Sequence, residues 1–75
     1  MKTIVYTQPG CGQCMFVMKW LESRDVEYEA INIREDDEAL ERVQNSGYSS
    51  LPVVEIDGEI VFNGFNEDKL EEYFG

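Results

Sequence analysis

The sequence predicts an α/β fold with elements in the order β-α-β-α-β-β-α. Three observations lead there. A strand, a turn and a helix meet at Cys11-Gly12-Gln13-Cys14. Strand, helix and strand follow one another within residues 2–33, the length of a βαβ unit. Asp57-Gly58, set between two runs of β-branched and apolar residues, marks a two-residue hairpin.

Lys2 to Thr7 is the first strand. Ile4, Val5, Tyr6 and Thr7 are β-branched or aromatic, and no charge follows Lys2, which marks a central, buried strand. Gln8-Pro9-Gly10 is turn chemistry. A helix over 11–24 comes next, with Cys14, Val17, Met18 and Leu21 at the i, i+3, i+4, i+7 spacing of a core face. Phe16 and Trp20 add a second i,i+4 pair, read as core packing, with a partner-facing rim as the alternative for Phe16. Ser23-Arg24-Asp25 ends the helix.

Val26 to Ile33 alternates through Val26, Tyr28 and Ala30 to Ile33, with Ile31 breaking the pattern; its charges mark an edge strand. Such a unit takes a right-handed crossover between parallel strands. Asp36 or Asp37 caps a second helix that runs to Ser46 and buries Ala39, Leu40 and Val43. The acidic run Glu35 to Glu38 suits the positive end of its dipole. Gly47 fits the left-handed position after the helix, and Tyr48 folds back on the last turn. Strands 53–56 and 59–62 form the hairpin. Asn63-Gly64-Phe65 turns the chain, Asn66 caps, and Glu67 to Phe74 form the last helix with Leu70, Tyr73 and Phe74 inward.

At 75 residues the chain fits one domain, 1–75, near the lower limit for a self-sufficient core. Its net charge is −10, and its 6 basic residues are scattered, which argues against nucleic-acid binding. The acid surplus is either a solvated surface or a bias toward basic partner surfaces. There is no histidine, so imidazole-based mechanisms are excluded, Cys-His hydrolysis among them. The apolar run Ile4-Val5-Tyr6 is too short for a signal peptide or a membrane span. The expected location is cytoplasmic, where a Cys-x-x-Cys is more often catalytic than structural.

Cys11 and Cys14 are the only cysteines, and i,i+3 spacing puts them on one helix face. They can close a small disulfide or open to a dithiol. The unpaired amides and macrodipole of a helix N-terminus favour negative charge, so Cys11 is the expected attacking thiolate. Cys14, one turn deeper and flanked by Met15, Val17 and Met18, is the expected buried, resolving thiol. The alternatives are two core cysteines or a permanent disulfide; the coincidence of strand, turn, pair and helix favours the redox pair.

These elements resemble the thioredoxin superfamily in its short, glutaredoxin-like form, over the whole chain. The residues that carry the resemblance are the run Tyr6 to Cys14, Leu51-Pro52-Val53, and Asn63-Gly64-Phe65. It implies a four-stranded mixed sheet, first strand central, flanked by three helices. The cysteine-bearing helix and the last helix would share one face, and the second would cover the other. It also implies that the Leu51-Pro52 bond is cis and that Leu51 offers its backbone to an extended substrate segment.

Glutathione-using glutaredoxins usually carry Cys-Pro-Tyr-Cys, a basic residue shortly before it and a Gly-Gly pair after the fourth strand. Gly12-Gln13, Gln8 and Phe65 stand at those places here. Cys-x-Gln-Cys with a later Ser/Asn-Gly-Phe is similar to the NrdH-redoxins. Those take electrons from thioredoxin reductase and deliver them to class Ib ribonucleotide reductase. The resemblance therefore implies a dithiol–disulfide oxidoreductase that acts through Cys11 and Cys14. Leu51 and Pro52 would position the substrate, and Thr7, Gln13, Gly64 and Phe65 would line the rim. No bound cofactor or metal is implied beyond the redox-active disulfide; electrons would come from NADPH through a reductase. The implied partners are thioredoxin reductase and ribonucleotide reductase, or another disulfide-bearing protein, with the chain a monomer. The alternatives are a glutathione-dependent glutaredoxin and, in a different class, an iron–sulfur carrier using Cys11 at a dimer interface. For the carrier, one chain supplies too few thiolates.

Overall fold

A computed structural model describes the whole of Met1–Gly75. The elements are β1 (Thr3–Thr7), α1 (Gly12–Ser23), β2 (Glu29–Asn32), α2 (Asp37–Asn45), β3 (Val53–Ile56), β4 (Glu59–Asn63) and α3 (Glu67–Phe74). The strands form one mixed sheet in the order β2-β1-β3-β4. β1 runs parallel to β2, which lies at the edge, and antiparallel to β3. No helix is long and apolar enough to cross a membrane.

Side chains alternate across a strand, so β1 feeds both faces of the sheet. Val5 packs with Val17 and Leu21 of α1, Val54 and Phe62 of the hairpin, and Leu70 of α3. Ile4 and Tyr6 pack on the opposite face with Ile33, Val53 and, from α2, Ala39 and Val43. The distribution of helices between faces is therefore the expected one. A bulge adjusts the hairpin: Val54 opposes Phe62 and Glu55 opposes Ile60, leaving Val61 as the extra residue. Val61 and Phe62 consequently both reach the α1–α3 side, while Ile60 packs beneath α2.

The caps follow the sequence. Asp36 accepts the Ala39 amide at 3.0 Å, Asn66 accepts the Lys69 amide at 3.2 Å, and Gly47 takes φ 89°. Four expectations change. β2 is shorter than 26–33 because Asp25 turns left-handed at φ 57° and the Val26 amide donates back to the Leu21 carbonyl at 3.0 Å. Val26 and Tyr28 thus serve as packing under α1 rather than as strand. Cys11 lies just outside the first turn of α1, as its cap. Phe16 is 59% exposed and is not core. Tyr73 is also exposed, although it stacks on Phe62 with ring centroids 5.9 Å apart.

One polar cluster lies inside the sheet. Glu55, in the middle of β3, is buried on the α2 side. The Tyr6 hydroxyl donates to its Oε1 at 2.7 Å, and Arg42 Nε donates to the same oxygen. Arg42 Nη2 also donates to the Gly58 carbonyl at 2.6 Å, so α2 is tied to both β3 and the hairpin. Burial would raise the Glu55 pKa, but the Tyr6 and Arg42 hydrogen bonds and the nearby positive charges outweigh it and hold it below the usual carboxylate range. Burial, with the hydrogen bond to Glu55, pushes Tyr6 up to about 12.

The Glu55 contribution to stability is present above its unfolded value, about pH 4.3, and is lost as pH falls through the lower folded value. The Tyr6 contribution is complete below about pH 10 and is lost as pH rises through about 12. Urea unfolding should find Glu55→Gln less stable than the wild type at pH 7 by about 1–3 kcal/mol. That gap should narrow steadily as the pH is lowered from 5. A gap independent of pH would mean that the carboxylate charge contributes nothing.

Candidate active site

Cys11 closes the turn that follows β1 and caps α1 with extended backbone, φ −89° and ψ 103°. Its Sγ accepts the Cys14 amide at 3.1 Å. Most helix caps use a side-chain oxygen for this bond; here a sulfur takes the position at the positive end of the helix. Cys11 and Cys14 are joined as a disulfide, with Cα atoms 5.3 Å apart, inside the roughly 4.4–6.8 Å range a bridge requires. Cys11 is partly exposed and Cys14 is fully buried under α1, as their expected roles require. The fold thus leaves one sulfur open to solvent and keeps the other behind it.

The Leu51-Pro52 peptide bond is cis, and it opens β3 at the same end of the sheet. Three consecutive residues, the last of β4 and the two that follow it, hold this end together. Asn63 Nδ2 donates to the Ser50 carbonyl at 3.1 Å and to Ser50 Oγ at 3.0 Å. The Gly64 amide donates to the Pro52 carbonyl at 2.8 Å. The Phe65 amide donates to Gln13 Oε1 at 3.0 Å. Gly64 sits at φ 77°, where a side chain is strained, and a Cβ there would stand 3.4 Å from Gln13 Oε1. Glycine is therefore favoured by the left-handed backbone, while the Gln13 side-chain end lies at ordinary contact distance.

Two surfaces flank Cys11. On the α2 side is a cleft of about 640 Å³ whose lining includes Gln8, Cys11, Gln44, Tyr48, Ser50 and Leu51 and no charged residue. On the α1–α3 side, Phe16 and Phe65 pack ring to ring with centroids 5.8 Å apart. Phe65 keeps 37% of its surface exposed, and Met15 keeps 56%.

Leu51, expected to position the substrate, lines the cleft beside Cys11; of the residues expected at the rim, Gln13, Gly64 and Phe65 form the stapled turn on the other flank. Thr7 ends β1 and its carbonyl accepts the Ile33 amide at 2.9 Å; Gln8, not Thr7, lines the cleft. The sequence reading missed Tyr48, Ser49, Ser50 and Gln44 as cleft residues. The uncharged run Gln44 to Leu51, ahead of the proline, was the available signal.

A glutaredoxin family model matches residues 3–61. A glutaredoxin-like protein NrdH of Lactococcus lactis is 36% identical over 66 residues, covering 88% of this chain and 90% of the relative. A glutaredoxin-like protein NrdH of Escherichia coli is 34% identical over 70 residues, covering 93% of this chain and 85% of that one. Among solved structures, the NrdH-redoxin of Escherichia coli superposes with a TM-score of 0.89 at 32% identity, covering 100% of this chain and 97% of its own. That protein is described as glutaredoxin-like with a thioredoxin-like activity profile.

The Gln13–Phe65 bond can be tested directly. Gln13→Ala should speed hydrogen–deuterium exchange at the Phe65 amide by roughly two- to tenfold, the equivalent of one neutral hydrogen bond. Exchange at the rate of the wild type would show that the turn is held by Asn63 and Gly64 alone.

Proposed function

The chain belongs to the glutaredoxin family, and we propose that within it the protein is a dithiol donor to protein disulfides that is recharged by thioredoxin reductase rather than by glutathione. It is a thiol–disulfide oxidoreductase with a Cys-x-x-Cys pair, similar to the NrdH proteins. The observation that carries the finer reading is the uncharged lining of the cleft beside Cys11. Glutathione carries two carboxylates, and a charge-assisted hydrogen bond to a carboxylate contributes roughly 1.5–3 kcal/mol. Gln8 occupies the position where a cation would make such a bond. Phe65 fills the place of a second glycine, while its exposed ring beside Phe16 offers area that suits a protein surface. The thioredoxin-like activity profile described for the Escherichia coli NrdH-redoxin supports the same choice of donor.

In the proposed cycle the Cys11 thiolate attacks one sulfur of a partner disulfide. A mixed disulfide forms and the first partner thiolate leaves. The helix N-terminus and the Cys14 amide favour the charged form of the attacking sulfur. Deprotonated Cys14 then attacks Cys11, the second partner thiolate leaves, and the Cys11–Cys14 disulfide closes. Two electrons have passed to the partner, and a reductase drawing on NADPH returns them. Leu51 and Pro52 are the proposed backbone platform for the segment next to the attacked sulfur. The likeness to the NrdH proteins makes class Ib ribonucleotide reductase the proposed downstream disulfide.

Cys11→Ser should abolish reduction of a protein disulfide, and Cys14→Ser should trap a mixed disulfide that survives non-reducing electrophoresis. Alkylation of the reduced protein at pH 7 should label Cys11 first. Faster labelling of Cys14 would reverse the two roles.

The donor is settled by two coupled assays of the oxidised protein, one with thioredoxin reductase and NADPH, the other with glutathione, glutathione reductase and NADPH. The first should turn over at least tenfold faster, the difference expected from the loss of one charge-assisted bond. Fast turnover with glutathione alone would falsify the choice of donor and leave the two-cysteine cycle intact.

A further inference from the structure

The strand register gathers all three helix starts at one end of the sheet. Thr7 lies beside Asn32 in the parallel pair, Val53 lies beside Tyr6, and Asn63 is paired with Val53. α1, α2 and α3 each begin just beyond one of these strand ends. Their first turns differ in charge. α2 opens with Asp36, Asp37 and Glu38, and α3 with Glu67 and Asp68, whereas α1 has no acid in its first turn. The segments Thr7 to Met18, Gln44 to Val54 and Val61 to Asn66 contain no charged residue at all. Cys11 and the exposed Met15, Phe16 and Phe65 thus occupy neutral, apolar ground bracketed by acidic turns on both faces of the sheet.

Those acids are not neutralised. The ion pairs of the molecule are Arg24–Glu71, Arg42–Glu55 and Lys69–Glu72, and none uses a residue from Glu35 to Glu38, or Glu67 or Asp68. Arg34 beside Glu35 and Lys69 beside Asp68 are the cations next to these runs, Lys69 being paired with Glu72, and Lys19 lies one turn along α1 from Met15 and Phe16. The chain carries a net charge of −10, and the charged residues bordering this end are mostly acidic while the contact ground itself is apolar. In such interfaces the apolar centre supplies affinity and the charged border sets encounter rate and partner choice.

We propose that the Met15–Phe16–Phe65 patch docks a protein whose target disulfide lies on an apolar surface bordered by Lys and Arg. The inference rests on the oxidoreductase reading and adds the partner's charge to it. A second copy of this chain is a poor occupant, because two patches brought together would confront identical acidic flanks. An acidic substrate meets the same repulsion. Attraction of a basic border acts over about 8 Å at physiological ionic strength and raises association rates by about tenfold or more.

The test uses the reduced full chain and three disulfide-cyclised peptides of equal length, each with Phe beside a cysteine and with Lys, Gln or Glu on both flanks. Reduction rates are followed by quenching and chromatography at 20 and 500 mM NaCl, with 2-hydroxyethyl disulfide as a neutral small substrate. The expected order at low salt is Lys, then Gln, then Glu, with about tenfold between the extremes, collapsing toward twofold at high salt. Glu67→Gln combined with Asp68→Gln should narrow the Lys-to-Glu ratio at low salt. Phe16→Ala should slow all three peptides. Equal rates for the three peptides at low salt, with every disulfide reduced, would overturn the proposal while leaving the redox activity standing. Failure to reduce any of them, the small disulfide included, would overturn both. A dimer seen by sedimentation at low salt would overturn it in favour of the second copy.

Discussion

The turn Asn63-Gly64-Phe65 is the constraint on which the active end depends. Each of its residues bonds a different piece of the site: Asn63 the Ser50 loop, Gly64 the Pro52 carbonyl, Phe65 the Gln13 side chain. Without these bonds, the helix bearing the cysteines and the loop bearing the proline would be related only through the β1–β3 ladder and the apolar core. Core packing fixes elements to within a rotamer or so, but it does not set how the peptide groups of the proline loop lie relative to Cys11. Directional bonds do, and catalytic geometry is sensitive to errors of this size. The bulge at Val61 belongs to the same device, since it resets the register of β4 just before the turn and sends Phe62 into the core beneath it.

Much of this was legible in the sequence, and what was not has identifiable causes. The sequence of elements and the helix caps follow from alternation, from helical spacing, and from Asp36, Asn66 and Gly47 at positions where few residues serve as well, whereas the mixed four-stranded sheet and the division of helices between its faces came from the family resemblance. The site pair was legible because two cysteines at helical spacing after a strand have few bland explanations. Phe16 differs from expectation because an i,i+4 pair with Trp20 looks the same whether it faces core or solvent; only the folded chain shows Phe16 outside the core, against Phe65. The extent of β2 was misread because alternation continues through Val26 and Tyr28, although Asp25 has already turned the chain. The buried Glu55 could not be foreseen, since its partners Tyr6 and Arg42 come from distant parts of the chain. Its burial holds only because both its hydrogen bonds and its charge are answered.

The division of labour between the two cysteines needs no special residues beyond their places on α1. One residue before the first turn is a cap, partly open to solvent; three residues on is the inward face of the helix. In the proposed cycle, with no histidine in the chain, activation of the sulfur falls to the helix end and to the Cys14 amide. Such a thiol needs little surrounding machinery, which is consistent with a functional redox site in a chain of 75 residues.

The choice of cap shows what that arrangement costs. α2 and α3 begin with Asp or Asn caps and acidic first turns, the combination that stabilises a helix N-terminus most. α1 begins with a sulfur cap and an uncharged first turn. A carboxylate in that turn would strengthen the helix, yet it would also occupy the positive end of the dipole and repel a thiolate at Cys11. Leaving the turn neutral sacrifices up to about 1 kcal/mol of helix stability and keeps the same interaction, of comparable size, for the reacting sulfur. The loss is tolerable because α1 is held by Val17 and Leu21 in the core, by Arg24 over the Trp20 ring with its ion pair to Glu71, and by Gln13 at the stapled turn. Anchoring the helix along its length is what allows its N-terminus to be given over to chemistry.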